Sequence, residues 1–233
     1  LIDAGLKTIS ISFEGFEREN DWTRGLPESF KRAEVAIAAL MQRNIVWDVI
    51  TCVNKVNIDS IVQFRDYLIS KGIKHWRIFT VFPAGRAKDN DNLQLTSEQY
   101  KYLLEFIAQT RREGKIDLSY GCEGFLGNYE LKVRNYPFFC QAGINVASIL
   151  NDGSISGCLS IRSNYNQGNI YENSFIDVWN TQFQLYRNHE WMKNGDCTSC
   201  KMWRYCEGNG MHLRDDKGDL LLCNMLKTTT FKN

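Results

Sequence analysis

Apolar residues in the first 121 positions follow two alternating periods, one typical of strands and one of amphipathic helices. β-rich apolar runs cover residues 8–13, 46–53, 76–82 and 116–121. Helical periodicity lies between them, over residues 28–43, 59–71 and 96–112. Strands that alternate with helices form parallel sheets with right-handed crossovers, so this pattern predicts an α/β fold.

Local signals at the helix ends support this division. Thr96 and Gln99 have the spacing of a capping box, and Asp59 is expected to cap the preceding helix. Gly72 and Gly114 follow the last periodic residues, where a left-handed residue ends many helices. Ligands of parallel α/β folds bind at the carboxyl ends of the strands, so the residues just after each strand are the candidates for function.

The pattern changes near residue 121. Short strands are expected at 147–150 and 154–156, around a turn at Asn151-Asp152-Gly153, with one helix over 175–187. The rest is irregular, with few regular backbone hydrogen bonds, and such a segment needs a metal or disulfides to hold it. We therefore expect two domains, residues 1–121 and residues 122–233.

Composition narrows the function without naming it. The net charge of +1 gives no electrostatic reason to expect nucleic acid or an anionic membrane as partner. No apolar run approaches the roughly 20 residues of a membrane span. The informative excess is cysteine, because seven of the eight lie in residues 122–233. Disulfides are one explanation of an even count, although they are mostly a feature of small secreted domains.

Four of these cysteines have the spacing of metal ligands. The order is Cys197-x2-Cys200-x5-Cys206, followed by Cys223. Two cysteines separated by two residues can reach one metal centre from a single tight turn. Four thiolates suit zinc or an iron–sulfur cluster, and the spacing alone does not separate the two.

A second set lies upstream. A hairpin turn at Asp152-Gly153 brings Cys140 and Cys158 toward each other, and Cys122 follows the last strand of the first half. These three thiols either form one face of a second cluster or are small buried apolar groups. Cys52, inside a strand, is expected to be a core residue.

The cysteine pattern resembles the SPASM domain of radical-SAM peptide and sulfatase maturases. It reads Cys140-x12-Gly153-x4-Cys158, then the four downstream cysteines. The resemblance implies one auxiliary [4Fe-4S] cluster on Cys197, Cys200, Cys206 and Cys223. It implies a second on Cys122, Cys140, Cys158 and a cysteine four residues after Cys206, where this chain has Gly210. The open position could take another ligand such as His212 or Glu207, or the cluster could be absent.

The first half resembles the same family. Ser12-Phe13-Glu14-Gly15 matches a strand-end motif, and Arg24 lies in the segment whose arginine reaches S-adenosylmethionine. The resemblance implies that Ser12 and Arg24 contact this cofactor, and that the segment 83–86 lines the active cavity. Outside the family, Glu14 and Arg24 could equally be a turn residue and a solvated charge.

The signature Cys-x3-Cys-x2-Cys, which holds the SAM-binding cluster of the family, does not occur in this sequence. We therefore expect the C-terminal portion of a partial (β/α)6 barrel followed by a small irregular α+β SPASM domain, with the preceding part missing and no radical formation by this chain alone. The resemblance implies a peptide or protein substrate, an electron donor such as flavodoxin or ferredoxin, and a cytoplasmic location. The alternative is a zinc-stabilised four-cysteine binding module without redox activity.

Overall fold

A computed structural model describes residues 2–228 and every side chain in that range except that of Arg86. The chain forms two compact units. The sheet unit comprises residues 2–81, 89–121 and 129–136, and the cysteine-rich unit comprises residues 82–88, 122–128 and 137–228. The chain thus leaves the sheet unit after Gly121, although 129–136 belong to it again. The domain limits expected at residue 121 stay a prediction.

The sheet unit is a four-stranded parallel sheet with helices between the strands. Its elements in chain order are β1 (Thr8–Ser12), α1 (Glu17–Arg24), α2 (Ser29–Met41), β2 (Val46–Val53), α3 (Ile61–Ser70), β3 (His75–Thr80), α4 (Ser97–Glu113) and β4 (Asp117–Tyr120). The strands lie in sequence order and every neighbouring pair is parallel. This is the α/β arrangement that the periodicity predicts.

The sheet buries apolar side chains against its helices. Val49, Trp76 and Ile78 on the strands, and Leu68 and Leu103 on α3 and α4, have no measurable exposure. β-branched and aromatic side chains fit a pleated surface that is covered, which is why these runs form strands. The indole of Trp76 also donates to the Thr51 hydroxyl at 2.8 Å, so its polar atom is satisfied inside the core.

The helix ends follow the sequence at Thr96, Gly72 and Gly114, where both glycines are left-handed, and differ at Asp59. The Thr96 hydroxyl accepts from the Gln99 amide, and the Gln99 side chain accepts from the Thr96 amide, which confirms the capping box of α4. Asp59 does not cap α3; it lies in a 3-10 turn, and α3 begins at Ile61. Helix α1 was not predicted, because its short polar sequence has little apolar periodicity.

The cysteine-rich unit has little regular structure. Its elements are β5 (Ser148–Ile149), β6 (Ser154–Ser156), β7 (Gly168–Asn169), α5 (Phe175–Thr181), α6 (Gln184–Arg187), α7 (Trp203–Cys206) and α8 (Asn224–Thr228). The three strands form an antiparallel sheet in sequence order. The single helix expected over 175–187 is two helices, since the chain departs from helical geometry at Phe183. Phe183 instead packs in the core beside Tyr186.

Within residues 2–228, no helix combines the length and the apolar character that crossing a membrane requires.

Candidate metal centre

Two cysteines are presented by one tight turn, as their spacing predicts. A 3-10 turn over Gly195–Cys197 runs into a second turn, closed by the Cys200 amide donating to the Cys197 carbonyl at 3.3 Å. The Cys200 carbonyl in turn accepts from the Trp203 amide at 3.1 Å, where α7 begins. The backbone therefore fixes both residues by short-range hydrogen bonds.

The other two cysteines come from opposite ends of short helices. Cys206 is the last residue of α7, and Cys223 immediately precedes α8. The Cys223 thiol accepts hydrogen bonds from the Met225 and Leu226 amides. After Cys206 the chain turns sharply through three successive residues with positive φ, Glu207, Gly208 and Asn209.

The four cysteines line one cavity of about 50 Å³, several times the ~10–15 Å³ that a single water requires. Most of the remaining wall is apolar, formed by Met202, Trp203, Leu220, Met225 and Leu226. Across residues 2–228, no three Cys, His, Asp or Glu side chains stand close enough together to bind a single metal ion. Four thiols that line one cavity are a ligand set for an iron–sulfur cluster or for a zinc ion.

Asn209 provides an independent test of that fit. It lines the cavity and is 2% exposed. Its side-chain oxygen accepts from the amides of Phe125 and Gly210, but its side-chain nitrogen has no hydrogen-bond partner in the part of the chain that the structure describes. A buried donor without a partner costs about 1–3 kcal/mol. Sulfur atoms of a cluster in this cavity would accept from it, so the site fits an iron–sulfur cluster.

Burial and mutual repulsion keep the Cys206 and Cys223 thiols protonated. Burial, and after it the neighbouring Cys223, Cys197 and Cys200, raise the pKa of Cys206 to about 12. Burial likewise raises the pKa of Cys223. Thiolates in such a place need positive charge, and a bound metal cluster supplies it.

Arg214 brings the nearest positive charge of the chain itself. It is 1% exposed, and one guanidinium nitrogen donates to the Cys197 sulfur at 3.3 Å. The other donors go to the Gly208 and Gly218 carbonyls and to the Asn194 side chain. No carboxylate among the described residues forms an ion pair with it. Burying a cation among only neutral partners costs free energy. Four thiolates around the cavity would supply the negative charge that Arg214 lacks.

The upstream cysteines form a less complete set of candidate metal ligands. Burial is the main cause of the raised pKa of Cys140, and Cys158 lies near enough to raise it as well. The Cys140 thiol accepts from the Met211 and Ala142 amides, and the Cys158 thiol from the Ser160 amide at 3.5 Å. Cys122 is exposed, and its place in this set stays a prediction.

The histidine near this pair occupies the region beside Gly210. A Cβ atom at Gly210 would lie 2.7 Å from Cε1 and 2.9 Å from Nδ1 of His212. The His212 ring is 7% exposed and meets the edge of Phe82, with ring centroids 5.0 Å apart. Burial lowers the pKa of His212 to about 4, so its imidazole is neutral at pH 7 and keeps a lone pair.

The sheet unit places Ser12 and Arg24 at the ends of their elements. Ser12 is the last residue of β1, opposite Ile50 of β2, and Arg24 is the last residue of α1. A guanidinium nitrogen of Arg24 lies 3.6 Å from the Glu14 carboxylate. Their assignment to S-adenosylmethionine stays a prediction, and Arg86 of the 83–86 segment has its side chain outside the described part.

Glu14 is a buried polar residue whose role the sequence alone does not reveal. It is 3% exposed, and its carboxylate accepts from the Cys52 amide at 2.6 Å. Burial raises its pKa, against the lowering effects of that amide and of Arg24. Its own backbone is held by Asn20 and Asn57. The half-buried Cys52 therefore acts through its backbone amide, which holds the Glu14 carboxylate. Glu14 in turn orients the Arg24 guanidinium at the carboxyl end of the strands.

Comparisons with known proteins show which proteins this chain is similar to. Residues 140–201 match SPASM, an iron–sulfur cluster-binding domain. The AdoMet-dependent heme synthase of Methanosarcina barkeri is 24% identical over 94% of this chain and 66% of its own length. The native anSMEcpe structure with bound AdoMet and Cp18Cys peptide superposes with a TM-score of 0.62, at 20% identity, over 92% of this chain and 62% of that one. The chain resembles radical SAM/SPASM proteins.

Further proteins that this chain resembles differ in what their names say they do. The AdoMet-dependent heme synthase of Oleidesulfovibrio alaskensis is 24% identical over 88% of the chain and 57% of its own length. Streptococcus suis SuiB bound to its precursor peptide SuiA superposes with a TM-score of 0.57, at 17% identity, over 86% of the chain and 48% of that protein. The chain therefore spans about two thirds or less of the length of the relatives it matches.

These likenesses confirm two of the expectations from sequence. The fold is a parallel α/β sheet of the radical SAM type followed by a small cysteine-rich α+β part. The expected cofactors, [4Fe-4S] clusters and S-adenosylmethionine, are confirmed for the family. Which residues of this chain bind them is a matter for proposal.

Proposed function

We propose that this chain is the C-terminal portion of a radical SAM enzyme, and that Cys197, Cys200, Cys206 and Cys223 hold an auxiliary [4Fe-4S] cluster. The observation that carries the proposal is the cavity that these four thiols share. A bound cluster of this type supplies one-electron transfer. A zinc ion on the same four cysteines is the alternative, and the match of residues 140–201 to an iron–sulfur cluster-binding domain favours the cluster.

The residues around the cavity have distinct tasks. Arg214 offsets the negative charge of the thiolates and orients Cys197 through its hydrogen bond to the sulfur. The side-chain nitrogen of Asn209 supplies a further donor toward the cavity. Trp203 and Leu220 exclude water from the wall, and low exposure is one of the factors that set the potential of such a site.

In the sheet unit we assign the S-adenosylmethionine contacts to Ser12 and Arg24. Ser12 ends β1 at the carboxyl edge of the sheet, where parallel α/β folds bind their ligands. Arg24 is half-exposed and held by Glu14, so its guanidinium is oriented while most of its donors remain available to a carboxylate.

For the substrate we propose a peptide or protein. The supporting observation is that two of the structures with this fold, anSMEcpe and SuiB, are described with bound peptides. A flavodoxin- or ferredoxin-like donor would supply the electron. The cytoplasmic location expected from the family belongs to the same proposal.

A second candidate substrate is a tetrapyrrole. It is favoured by the curated relatives, which are named heme synthases and match almost the whole chain. Peptides and tetrapyrroles differ in shape and in size, so one binding cavity is expected to accept only one of these classes.

The test uses the full-length protein, including the part that carries the three-cysteine loop. Reduced enzyme should cleave S-adenosylmethionine to 5′-deoxyadenosine, and a panel of peptides and of iron tetrapyrroles should show which class stimulates cleavage and gains or loses mass. Cys200→Ala should abolish product formation, whereas Cys52→Ala, a cysteine outside the cavity, should not. No cleavage by the fully reconstituted enzyme would overturn the radical SAM assignment, and stimulation by tetrapyrroles alone would replace the peptide substrate.

A further inference from the structure

The upstream cysteines leave one ligand position to be explained. Two thiols, Cys140 and Cys158, lie together in the unit, and both belong to the segment that matches the iron–sulfur domain. Where the family pattern has a cysteine four residues after Cys206, this chain has Gly210. Gly210 has no side chain to bind a metal, so any cluster here needs a ligand from another residue.

His212 occupies the space that a side chain at this position would fill. Its ring atoms Cε1 and Nδ1 lie 2.7 and 2.9 Å from where a Cβ of residue 210 would stand. Those distances are too short for both groups to be present without movement. The imidazole and a cysteine at 210 are therefore alternatives for the same region, and this chain has the imidazole.

The backbone brings the same segment to the Cys140 sulfur. The Met211 amide, between Gly210 and His212, donates to that thiol. The segment is held on one side by the Asn209 side chain, which accepts from the Gly210 amide at 3.1 Å, and on the other by a 3-10 turn over Met211–Leu213. The His212 ring is therefore carried by the segment whose Met211 amide contacts the Cys140 sulfur.

The ring itself lacks a polar partner. His212 is only 7% exposed. Neither of its ring nitrogens forms a hydrogen bond with any residue that the structure describes. Its one ring contact is the edge of Phe82. Since neither nitrogen is committed to a described residue, the imidazole is available to a ligand. Neutral imidazole is among the commonest metal ligands in proteins.

We propose that His212 is a nitrogen ligand of an upstream iron–sulfur cluster, in the place of the family's fourth cysteine and together with Cys140 and Cys158. The inference rests on the proposed function, since it takes the cysteine-rich unit to be an iron–sulfur domain. A cluster with a histidine in place of a thiolate has a less negative ligand set. Histidine ligation raises the reduction potential of such centres, so the upstream cluster should be the more easily reduced of the two.

The experiment is pulsed electron paramagnetic resonance on the whole chain, reconstituted anaerobically with iron and sulfide and then partly reduced. One sample carries natural histidine and the other 15N-histidine. We expect about eight irons per chain, for two [4Fe-4S] clusters. We also expect a hyperfine coupling from a directly bound nitrogen that changes with the 15N label. The label needs no substitution, so this result does not depend on a variant folding.

Variants identify the histidine. His212→Ala should remove the nitrogen coupling, and the matched control His189→Ala, in the same unit, should keep it. The double variant Gly210→Cys/His212→Ala should keep the iron and lose the coupling, because the cysteine regains the space that the ring leaves. A coupling that is absent from the wild-type chain, or that persists in His212→Ala, overturns the inference. About four irons without a nitrogen coupling overturns it while the proposed function stands, and a chain that binds no iron overturns both.

Discussion

The two units of this chain are stabilised in different ways. The sheet unit satisfies its backbone through four parallel strands and buries residues such as Trp76 and Leu103 between sheet and helices. The cysteine-rich unit has strands of two or three residues, and much of its polar bonding passes through single buried side chains. Arg214 donates to two carbonyls, an amide side chain and a sulfur, and Asn209 joins two distant segments.

This difference predicts where each unit is vulnerable. A unit that rests on distributed apolar burial loses stability in proportion to the area or volume removed. A unit that rests on a few polar residues and a cluster loses much of its structure when one of them is removed, because metal binding is coupled to folding. The predictions below test this contrast, from the largest expected effect to the smallest.

Removing one cluster ligand should have the largest effect. We expect Cys206→Ala to abolish the iron of the downstream site and to expose the cysteine-rich unit to proteolysis, since a half-formed metal site does not offset the entropy of ordering. Iron analysis and limited proteolysis on anaerobic samples measure both. Cys52→Ala, on β2 of the sheet unit, is the matched control and should keep its iron. Equal loss in both variants would contradict the assignment.

Core truncation in the sheet unit should act on stability alone. Leu103 on α4 is fully buried, so Leu103→Ala should lower the free energy of unfolding of the sheet unit by about 2–5 kcal/mol. Tyr102→Ala, at the neighbouring and 48% exposed position, should change it by less than about 1 kcal/mol. Urea titration followed by far-ultraviolet circular dichroism provides the values. Iron loading of the cysteine-rich unit should be the same in both variants, and a loss of iron in Leu103→Ala would show that the two units are not independent.

The sequence predicted the sheet unit well because its signals are local and repeated. The strand at residues 46–53 and the capping box at Thr96 follow from periodicity and from spacing within one turn. Asp59 was wrongly expected to cap α3, because a 3-10 turn extends the helix start and propensity does not encode that choice. In the cysteine-rich unit, spacing identified the four cysteines that line one cavity.

Spacing could not locate the buried polar residues beside these cysteines or at the strand ends of the sheet unit. Arg214, Asn209 and Glu14 act through burial, and each is brought to its partner by the fold rather than by its neighbours in the chain. A lone arginine or asparagine in a polar sequence is most often exposed, so no local signal distinguishes these. Nor does the sequence show that the His212 ring fills the space beside Gly210.

Arg214 should set the reduction potential of the downstream cluster. A positive charge beside a cluster favours its reduced, more negative state, so Arg214→Met should lower the potential by on the order of 60 mV, which corresponds to a tenfold change in a one-electron equilibrium. Arg214→Lys keeps the charge and should shift the potential less. Spectroelectrochemical titration measures both variants. A higher potential in Arg214→Met, or equal shifts in the two, would contradict the role given to its charge.

The smallest effect should come from Glu14. Burial raises its pKa above the ordinary value of 4.5, so between these two values the folded chain holds a proton that the unfolded chain releases. Stability from this group is therefore present below about pH 4.5 and falls as pH rises through the folded pKa. Glu14→Gln cannot ionise and should flatten that decline. Thermal unfolding from pH 4 upward measures it, and identical pH profiles for the two proteins would show that Glu14 does not contribute.

The most direct test of the central claim is the iron and acid-labile sulfide content of the anaerobically reconstituted chain, compared with that of a Cys197→Ala/Cys200→Ala/Cys206→Ala variant. If the four cysteines around the cavity hold a [4Fe-4S] cluster, the variant should bind about four irons and four sulfides fewer per chain than the wild type. Equal iron and sulfide in the two proteins, or zinc in place of iron in the wild type purified without oxygen, would contradict the account.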